Sequence, residues 1–200
     1  MDMRKAGELF FKWRSYTPIP LLLAALVLAR PTWWSMLLGY AVLAGGELLR
    51  ISSVGFASGA TRTLQAGVGD LITGGPYSYT RNPLYLGNFL ISLGLCLAAW
   101  AWMPWMVLAF LAAFSLQYGF IVHLEEQVLR DKLGATYDEY FREVPRWSVR
   151  LAPFPRRFPE RGNFPAGLRS ERRTLQSICI VTILLILRGF VFASWLNGSR

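Results

Sequence analysis

Histidine and cysteine are nearly missing from this chain: it has one histidine, His123, and two cysteines, Cys96 and Cys179. Structural and catalytic zinc sites draw on clusters of these residues, so one histidine and no cysteine cluster argue against a zinc centre. Both cysteines fall inside apolar runs and are expected to be buried thiols rather than a disulfide or metal pair. Acidic residues are scarce too, with 12 Asp and Glu against 21 Lys and Arg and a formal net charge of +9. There is no internal repeat of the kind that builds many transporters, and no low-complexity tract.

What the chain does have is apolar residues, at 54% of its 200 positions. High apolar content with strong positive charge suits a membrane protein whose loops face an anionic leaflet. Nucleic-acid binding is the other common use of such charge. Here, however, the basic residues lie between apolar runs long enough to cross a bilayer.

Taken in order, residues 1–17 mix Phe10, Phe11 and Trp13 with four cations and read as an interfacial segment. The run Pro18–Ala29 is short. Leu28, Ala29 and Arg30 make a poor signal-peptidase site, so a short first membrane helix is expected. A second run extends from Pro31 and Trp33 to Leu49, with Glu47 near its end. Residues 50–82 read as a loop. Pro83–Trp102 and Trp105–Val122 form a helical hairpin across Met103-Pro104. Residues 123–174 are polar and basic, and Leu175–Trp195 is a fifth apolar run interrupted by Arg188. The expected fold is therefore an all-α polytopic membrane domain over 1–200, with about five transmembrane helices and an amphipathic helical subdomain on the inner side. With the N-terminus inside, the segments 1–17, 50–82 and 123–174 hold 18 of the 21 Lys and Arg, while the outer segments hold 2. That asymmetry follows the positive-inside rule. Trp33, Trp34, Trp100, Trp102, Trp105 and Trp195 gather at the outer ends, as an aromatic belt would.

The most patterned stretch is Gly74–Gly87, which reads Gly-Gly-Pro-Tyr-Ser-Tyr-Thr-Arg-Asn-Pro-Leu-Tyr-Leu-Gly. Pro83 suits the first turn of a helix, where a missing N–H costs nothing. Arg81 is thereby held just outside an apolar helix, placed to snorkel to headgroups or to bind an anionic ligand group. On the same inner side the fourth span runs out into His123-Leu124-Glu125-Glu126, with Leu129 and Leu133 continuing an apolar stripe. Gly134 is the expected helix stop. Thr136 and Glu139 have capping-box spacing for a following helix, whose apolar face is Tyr137, Tyr140, Phe141 and Val144. Neighbouring helical residues point about 100° apart, so Glu125 and Glu126 cannot both face one pocket squarely. They are either a solvated helix end or one of them meets a cationic ligand. His123 is an interfacial residue or a base.

Gly-Pro-Tyr-Ser-Tyr-Thr-Arg-Asn-Pro-Leu-Tyr-Leu-Gly, then Glu-Glu-Gln-Val-Leu, then Leu-Gly-Ala-Thr-Tyr-Asp-Glu-Tyr, then Val-Pro-Arg-Trp, in that order, resemble the isoprenylcysteine carboxyl methyltransferase family. The wider group includes phospholipid N-methyltransferases. The resemblance covers roughly residues 65–150. It implies an integral membrane enzyme that uses S-adenosylmethionine in a pocket at the inner ends of the hairpin, with a lipophilic substrate entering from the bilayer. It further implies a cofactor-binding set of Gly75, Pro76, Tyr77, Arg81, Asn82, Pro83, Tyr85, Gly87, His123, Glu125 and Glu126. Glu126, Arg142 and Arg146 are the implied catalytic residues, with Arg142 or Arg146 orienting the substrate. Two departures stand out: Asn82 replaces a His of the eukaryotic-type motif, and Glu143 stands where the isoprenylcysteine enzymes carry an Arg. Arg188 is a site candidate as an intramembrane charge. Methyl transfer needs alignment and desolvation rather than a metal or a nucleophilic side chain. Gly67-Val68-Gly69 lacks the strand–helix setting of a soluble methyltransferase loop. The rival enzyme reading is a membrane reductase of the steroid-reductase type using NADPH; the non-enzyme rival is a membrane scaffold. The implied partners are membrane lipids and a lipophilic substrate, without nucleic acid, and the implied location is a bacterial inner membrane with the site on the cytoplasmic side.

Overall fold

The computed structural model describes residues 3–57, 71–155 and 162–191, and among these every regular element is helical. Two short helices, α1 (Met3–Trp13) and α2 (Ile19–Val27), lead into α3 (Trp33–Phe56), α4 (Pro83–Ala99) and α5 (Trp105–Leu133). Then come α6 (Ala135–Glu143), α7 (Phe164–Ser170) and α8 (Arg172–Ile186), which continues as a π turn over Leu187–Val191. The 24 residues of α3 and 29 of α5 reach about 36 and 44 Å, against about 30 Å of bilayer hydrocarbon. Both are also apolar enough to cross; α4 is a shorter apolar helix.

The nine residues of α2 reach only about 14 Å and cannot cross a bilayer unaided. Instead, α1 packs along α5 and α2 continues from it against α4. A Cβ added to Gly7 would lie 2.8 Å from that of Leu124, and Phe10 stacks on Phe120 at 5.3 Å. The Thr17 hydroxyl hydrogen-bonds Gln117, and Ala25 and Ala29 join Met106 and Phe110 in one buried apolar cluster. At that end the Arg30 N–H donates to the Ala99 carbonyl at 2.9 Å. Trp33, Trp34, Trp100, Trp102 and Trp105 are all exposed there; Trp195 lies outside the described residues, as does Gly67-Val68-Gly69.

The densest packing is between α3 and α4, and its cause is a glycine seam. Gly39 and Gly46 on α3 face Gly94 and Gly87 on α4, each pair two helical turns from the next. A Cβ at Gly94 would lie 2.5 Å from the Gly39 carbonyl oxygen, and one at Gly87 would lie 2.9 Å from that of Gly46. Small residues let membrane helices approach backbone to backbone. Gly94→Ala is therefore expected to lower the melting temperature, at a cost of about 1–3 kcal/mol from overpacking. A melt of the detergent-solubilised variant matching the parent would disprove the seam.

Three sequence expectations need correction. α3 does not stop at Leu49 but runs to Phe56, because Arg50 and Ser53, beyond Leu49, find partners inside the packing. Ser53 bonds back to the Leu49 carbonyl at 2.6 Å, and Arg50 is paired with Glu171. α7, inside the polar and basic stretch 123–174, lies against this extension, with the Asn163 N–H on the Gly55 carbonyl at 2.9 Å. Second, the Thr136–Glu139 capping box does not form. α6 starts at Ala135 directly after Gly134, whose φ of +52° suits glycine and lets α5 end and α6 begin at one residue. Third, Cys96 is buried but Cys179 is exposed on α8. Arg188 is also exposed.

The amphipathic reading of α6 holds. Tyr137, Tyr140 and Val144 are buried with Leu71 and Phe154, and Leu129, Leu133 and Phe141 pack around them. α6 is thereby held beside the start of α4 and the end of α5.

Candidate active site

Pro83 fills the first position of α4 and is fully buried. Before it, Gly75 has φ +56°, and a side chain there would collide with the Phe56 ring. Pro76 occupies the start of the 3-10 turn Gly75–Ser78, which the Ser78 hydroxyl closes onto the Gly75 carbonyl at 2.7 Å. From this turn the backbone pairs with the segment following α6. Phe154 N–H donates to the Ser78 carbonyl at 2.9 Å, Arg150 N–H to that of Tyr79 at 3.0 Å, and Arg81 N–H to that of Pro145 at 2.9 Å. Side chains reinforce the pairing. The Tyr140 hydroxyl donates to the Tyr77 carbonyl at 2.7 Å, and the Asn82 amide donates to the Arg146 carbonyl at 3.2 Å. Burial pushes the Tyr140 and Tyr137 hydroxyls above the ordinary phenol range, keeping both neutral.

Arg81 sits at the crossing. Its Nε and Nη2 reach Glu126 Oε1 at 3.1 and 3.0 Å. Its Nη1 donates to the Phe141 and Val144 carbonyls, both at 2.6 Å, and the guanidinium lies 4.1 Å over the Phe141 ring. Arg146 comes in from the other side, with Nε on Glu126 Oε1 at 3.1 Å and Nη2 on Oε2. The Arg81 and Glu126 side chains are 8% and 7% exposed; that of Arg146 is 35% exposed. Two guanidinium groups thus share one carboxylate, leaving a formal excess of one positive charge in a mostly dry place. Electrostatically, an anion is the ligand group that this node lacks, and Arg146 is its open member.

The acidic pair divides as helical geometry requires. Glu126 turns to the arginines, while Glu125 accepts a 2.6 Å hydrogen bond from the Tyr85 hydroxyl on α4. The Tyr85 ring packs on Tyr118 at 4.9 Å. Arg81, Asn82, Pro83, Tyr85, Glu125, Glu126 and Arg146 therefore come together with the turn Gly75–Tyr77. Three other sequence candidates stand apart. Gly87 faces α3 in the glycine seam. His123 Nε2 meets Gln127 Nε2 one turn on, at 3.1 Å. Arg142 is exposed on α6.

Beside this site lies a polar cluster that motif reading did not find. Arg50 on α3 pairs with Glu171, between α7 and α8, at 2.8 Å, and also bonds Asn88 on α4. Asn88 in turn donates to the Tyr118 hydroxyl at 3.4 Å. Glu47, one turn before Arg50, is buried with no hydrogen-bond partner on either carboxylate oxygen. The available signal was the pair of charges, Glu47 and Arg50, close together near the end of an apolar run.

Comparison with known proteins bears on what this geometry is for. The model of the phospholipid methyltransferase family matches residues 34–136, which spans α3 to the start of α6 and includes the Arg81–Glu126 crossing. The nickel-cobalt-cadmium resistance protein NccN of Alcaligenes xylosoxydans xylosoxydans is 30% identical over 149 residues, covering 71% of this chain and 65% of that protein. The cobalt-zinc-cadmium resistance protein CzcN of Cupriavidus metallidurans is 37% identical over 82 residues, covering 41% of this chain and 37% of its own length. The chain thus spans less than two thirds of either curated relative. No solved structure matches.

Proposed function

Because the chain belongs to the phospholipid methyltransferase family, we propose that it transfers a methyl group from S-adenosylmethionine to a lipophilic acceptor resident in the membrane. The observation that carries this reading is the convergence of three distant motifs on one buried node, with Arg81 before α4, Glu126 near the end of α5 and Arg146 after α6. The residues present fit such a cofactor. The positive excess of the node suits a carboxylate, and Arg146, partly exposed, is the group to hold it. Arg81 is occupied by Glu126 and two carbonyls, so its part is to position Glu126 and the chain after α6. Glu125, oriented by Tyr85, suits the cofactor's hydroxyl or amino groups. When bound, the cofactor supplies an electrophilic methyl on a sulfonium. The protein's work is then to align the acceptor and exclude water.

The location fits an acceptor from the bilayer. We propose that α1 with α2, and then α3, α4, α5 and α8, make five passages, with the N-terminus and the site on the cytoplasmic side of a bacterial inner membrane. With residues 1–17 counted in the first passage, the inner segments 50–82 and 123–174 still hold 14 Lys and Arg against 2 in the outer segments, which supports that orientation. The exposed tryptophans at the opposite end supply the outer belt.

Titration calorimetry on the purified protein tests the cofactor: S-adenosylhomocysteine is expected to bind and NADPH is not. Binding of NADPH in its place would favour the membrane reductase. The two relatives' names concern resistance to transition metals. For this chain we propose a link to metal resistance through methylation of a membrane component.

A further inference from the structure

The corner where α7 meets α8 carries three arginines close together, Arg169, Arg172 and Arg173. Gly167 and Glu171, one helical turn apart, are its buried side. A Cβ on Gly167 would lie 2.4 Å from the Ile51 carbonyl oxygen, and Glu171 pairs with Arg50, so this side is fixed to α3. Helical spacing then turns Arg169, Arg172 and Arg173 to the opposite side, where all three are exposed. Phe164 and Leu168, one turn apart on α7, are exposed beside them.

These three charges lack a counter-charge. The arginines around α6 (Arg81, Arg130, Arg146 and Arg150) each meet a carboxylate. Among the described residues, Arg169, Arg172 and Arg173 form no ion pair. The carboxylate at the corner, Glu171, is buried and turned inward to Arg50. α8 also opens on Arg172 and Arg173, with no acidic residue in its first turn. The start of a helix carries partial positive charge and favours anions, not cations. An anion is therefore what this corner lacks, and its depth says which kind. Arg50 lies seventeen residues along α3 from the exposed Trp33, or about 26 Å at helical rise. Glu171 and its corner thus stand near the far edge of about 30 Å of hydrocarbon, at the level of lipid phosphates. Exposed apolar side chains beside arginines suit a helix lying in that boundary.

We propose that the α7–α8 corner is a binding site for the phosphodiester headgroup of an anionic membrane lipid. The guanidinium groups take the phosphate oxygens, for which their planar donor pairs are suited, and the lipid chains lie along Phe164 and Leu168. Because Glu171 holds Arg50 from the buried side of the same corner, the bound lipid fastens α8 to α3. This site is independent of the methyltransferase reading.

The test uses the full chain in detergent micelles, titrated with dioleoyl phosphatidylglycerol or dioleoyl phosphatidylcholine, with bound lipid counted by native mass spectrometry. The parent is expected to retain phosphatidylglycerol in preference to phosphatidylcholine, and to melt at a higher temperature when it does. Arg169→Gln/Arg172→Gln/Arg173→Gln should weaken phosphatidylglycerol binding at least about tenfold and abolish the rise in melting temperature. The control is Lys5→Gln/Lys12→Gln/Lys132→Gln, which removes the same charge from exposed positions elsewhere at this end of the bundle and should bind like the parent. Melts without added lipid show that the variants fold. If the triple arginine variant does not fold, the three single variants replace it, each expected to bind more weakly than the parent. Equal losses in the arginine and lysine variants would overturn the site, since the attraction would then belong to the net charge. Unchanged binding in folded arginine variants would overturn it as well. A melting temperature that stays constant as phosphatidylglycerol binds would overturn the fastening role. If inorganic phosphate raises the melting temperature as far as the lipid does, the corner takes a soluble anion and the lipid assignment is wrong.

Discussion

Glu126→Ala is expected to destabilise the protein by about 3–5 kcal/mol, the usual cost of removing one partner from a buried ion pair. The reason is Arg81 rather than Glu126. With its side chain 8% exposed, Arg81 keeps its charge in the interior whether or not the carboxylate is present, and its remaining acceptors are the Phe141 and Val144 carbonyls. Two carbonyl dipoles and the face of Phe141 do not neutralise a guanidinium. Arg146→Ala should cost far less. Its side chain is 35% exposed, so water replaces part of what it loses, and Glu126 keeps Arg81 as partner. The two variants should also separate in function. Arg146→Ala should melt near the parent yet lose S-adenosylhomocysteine affinity, because it removes the open cation of the node. Thermal melts of the three proteins, followed by calorimetry on those that remain folded, decide the matter. Equal melting temperatures for Glu126→Ala and the parent would mean that the crossing of α4, α5 and the segment after α6 is not held by charge.

How far this node was readable in the sequence depends on the distance over which each signal acts. The helical hairpin, Pro83 at a helix start and the apolar face of α6 are written in local periodicity, and the structure places them close to where that periodicity does. The 100° between successive helical residues showed that Glu125 and Glu126 would part company. It did not say which would turn to the arginines, because that depends on where Arg146 arrives after the Val144-Pro145 turn. Arg142 and Arg146 look equivalent by composition, yet one lies on the outward face of α6 and the other is carried back by the turn. The end of α3 is hidden from local pattern for a related reason. Arg50 and Ser53 look like loop residues until Glu171, 121 positions away, supplies the partner that makes a charge tolerable inside a helix bundle. No local pattern announces a partner at that range. The family match ends at residue 136, so it did not include that partner either.

That same long-range pair gives the second large effect. Glu171→Ala is expected to cost about 3–5 kcal/mol, while Glu47→Gln, one helical turn from the same Arg50, should be neutral or stabilising. Both carboxylates are buried, Glu171 at 1% and Glu47 at 5% exposure, so burial alone predicts similar outcomes. Their partners differ. Glu171 accepts from Arg50 Nη2 at 2.8 Å on each oxygen and from the Thr174 hydroxyl at 2.7 Å, and so joins α3 to the start of α8. Removing it leaves the Arg50 guanidinium with Asn88 and an unbonded neighbour. Glu47 makes no hydrogen bond at all, so as a charge it carries the desolvation cost of burial without a compensating bond. Glutamine keeps its shape and removes that cost. The contrast should appear in thermal melts of the two single variants. In the double variant Glu47→Gln/Glu171→Ala, the loss should exceed that of Glu171→Ala alone, since Glu47 is the nearest carboxylate that could turn to Arg50 once Glu171 is gone. If Glu47→Gln destabilises as much as Glu171→Ala, Glu47 has a partner in the working protein, and the cluster around Arg50 must be redrawn to include it.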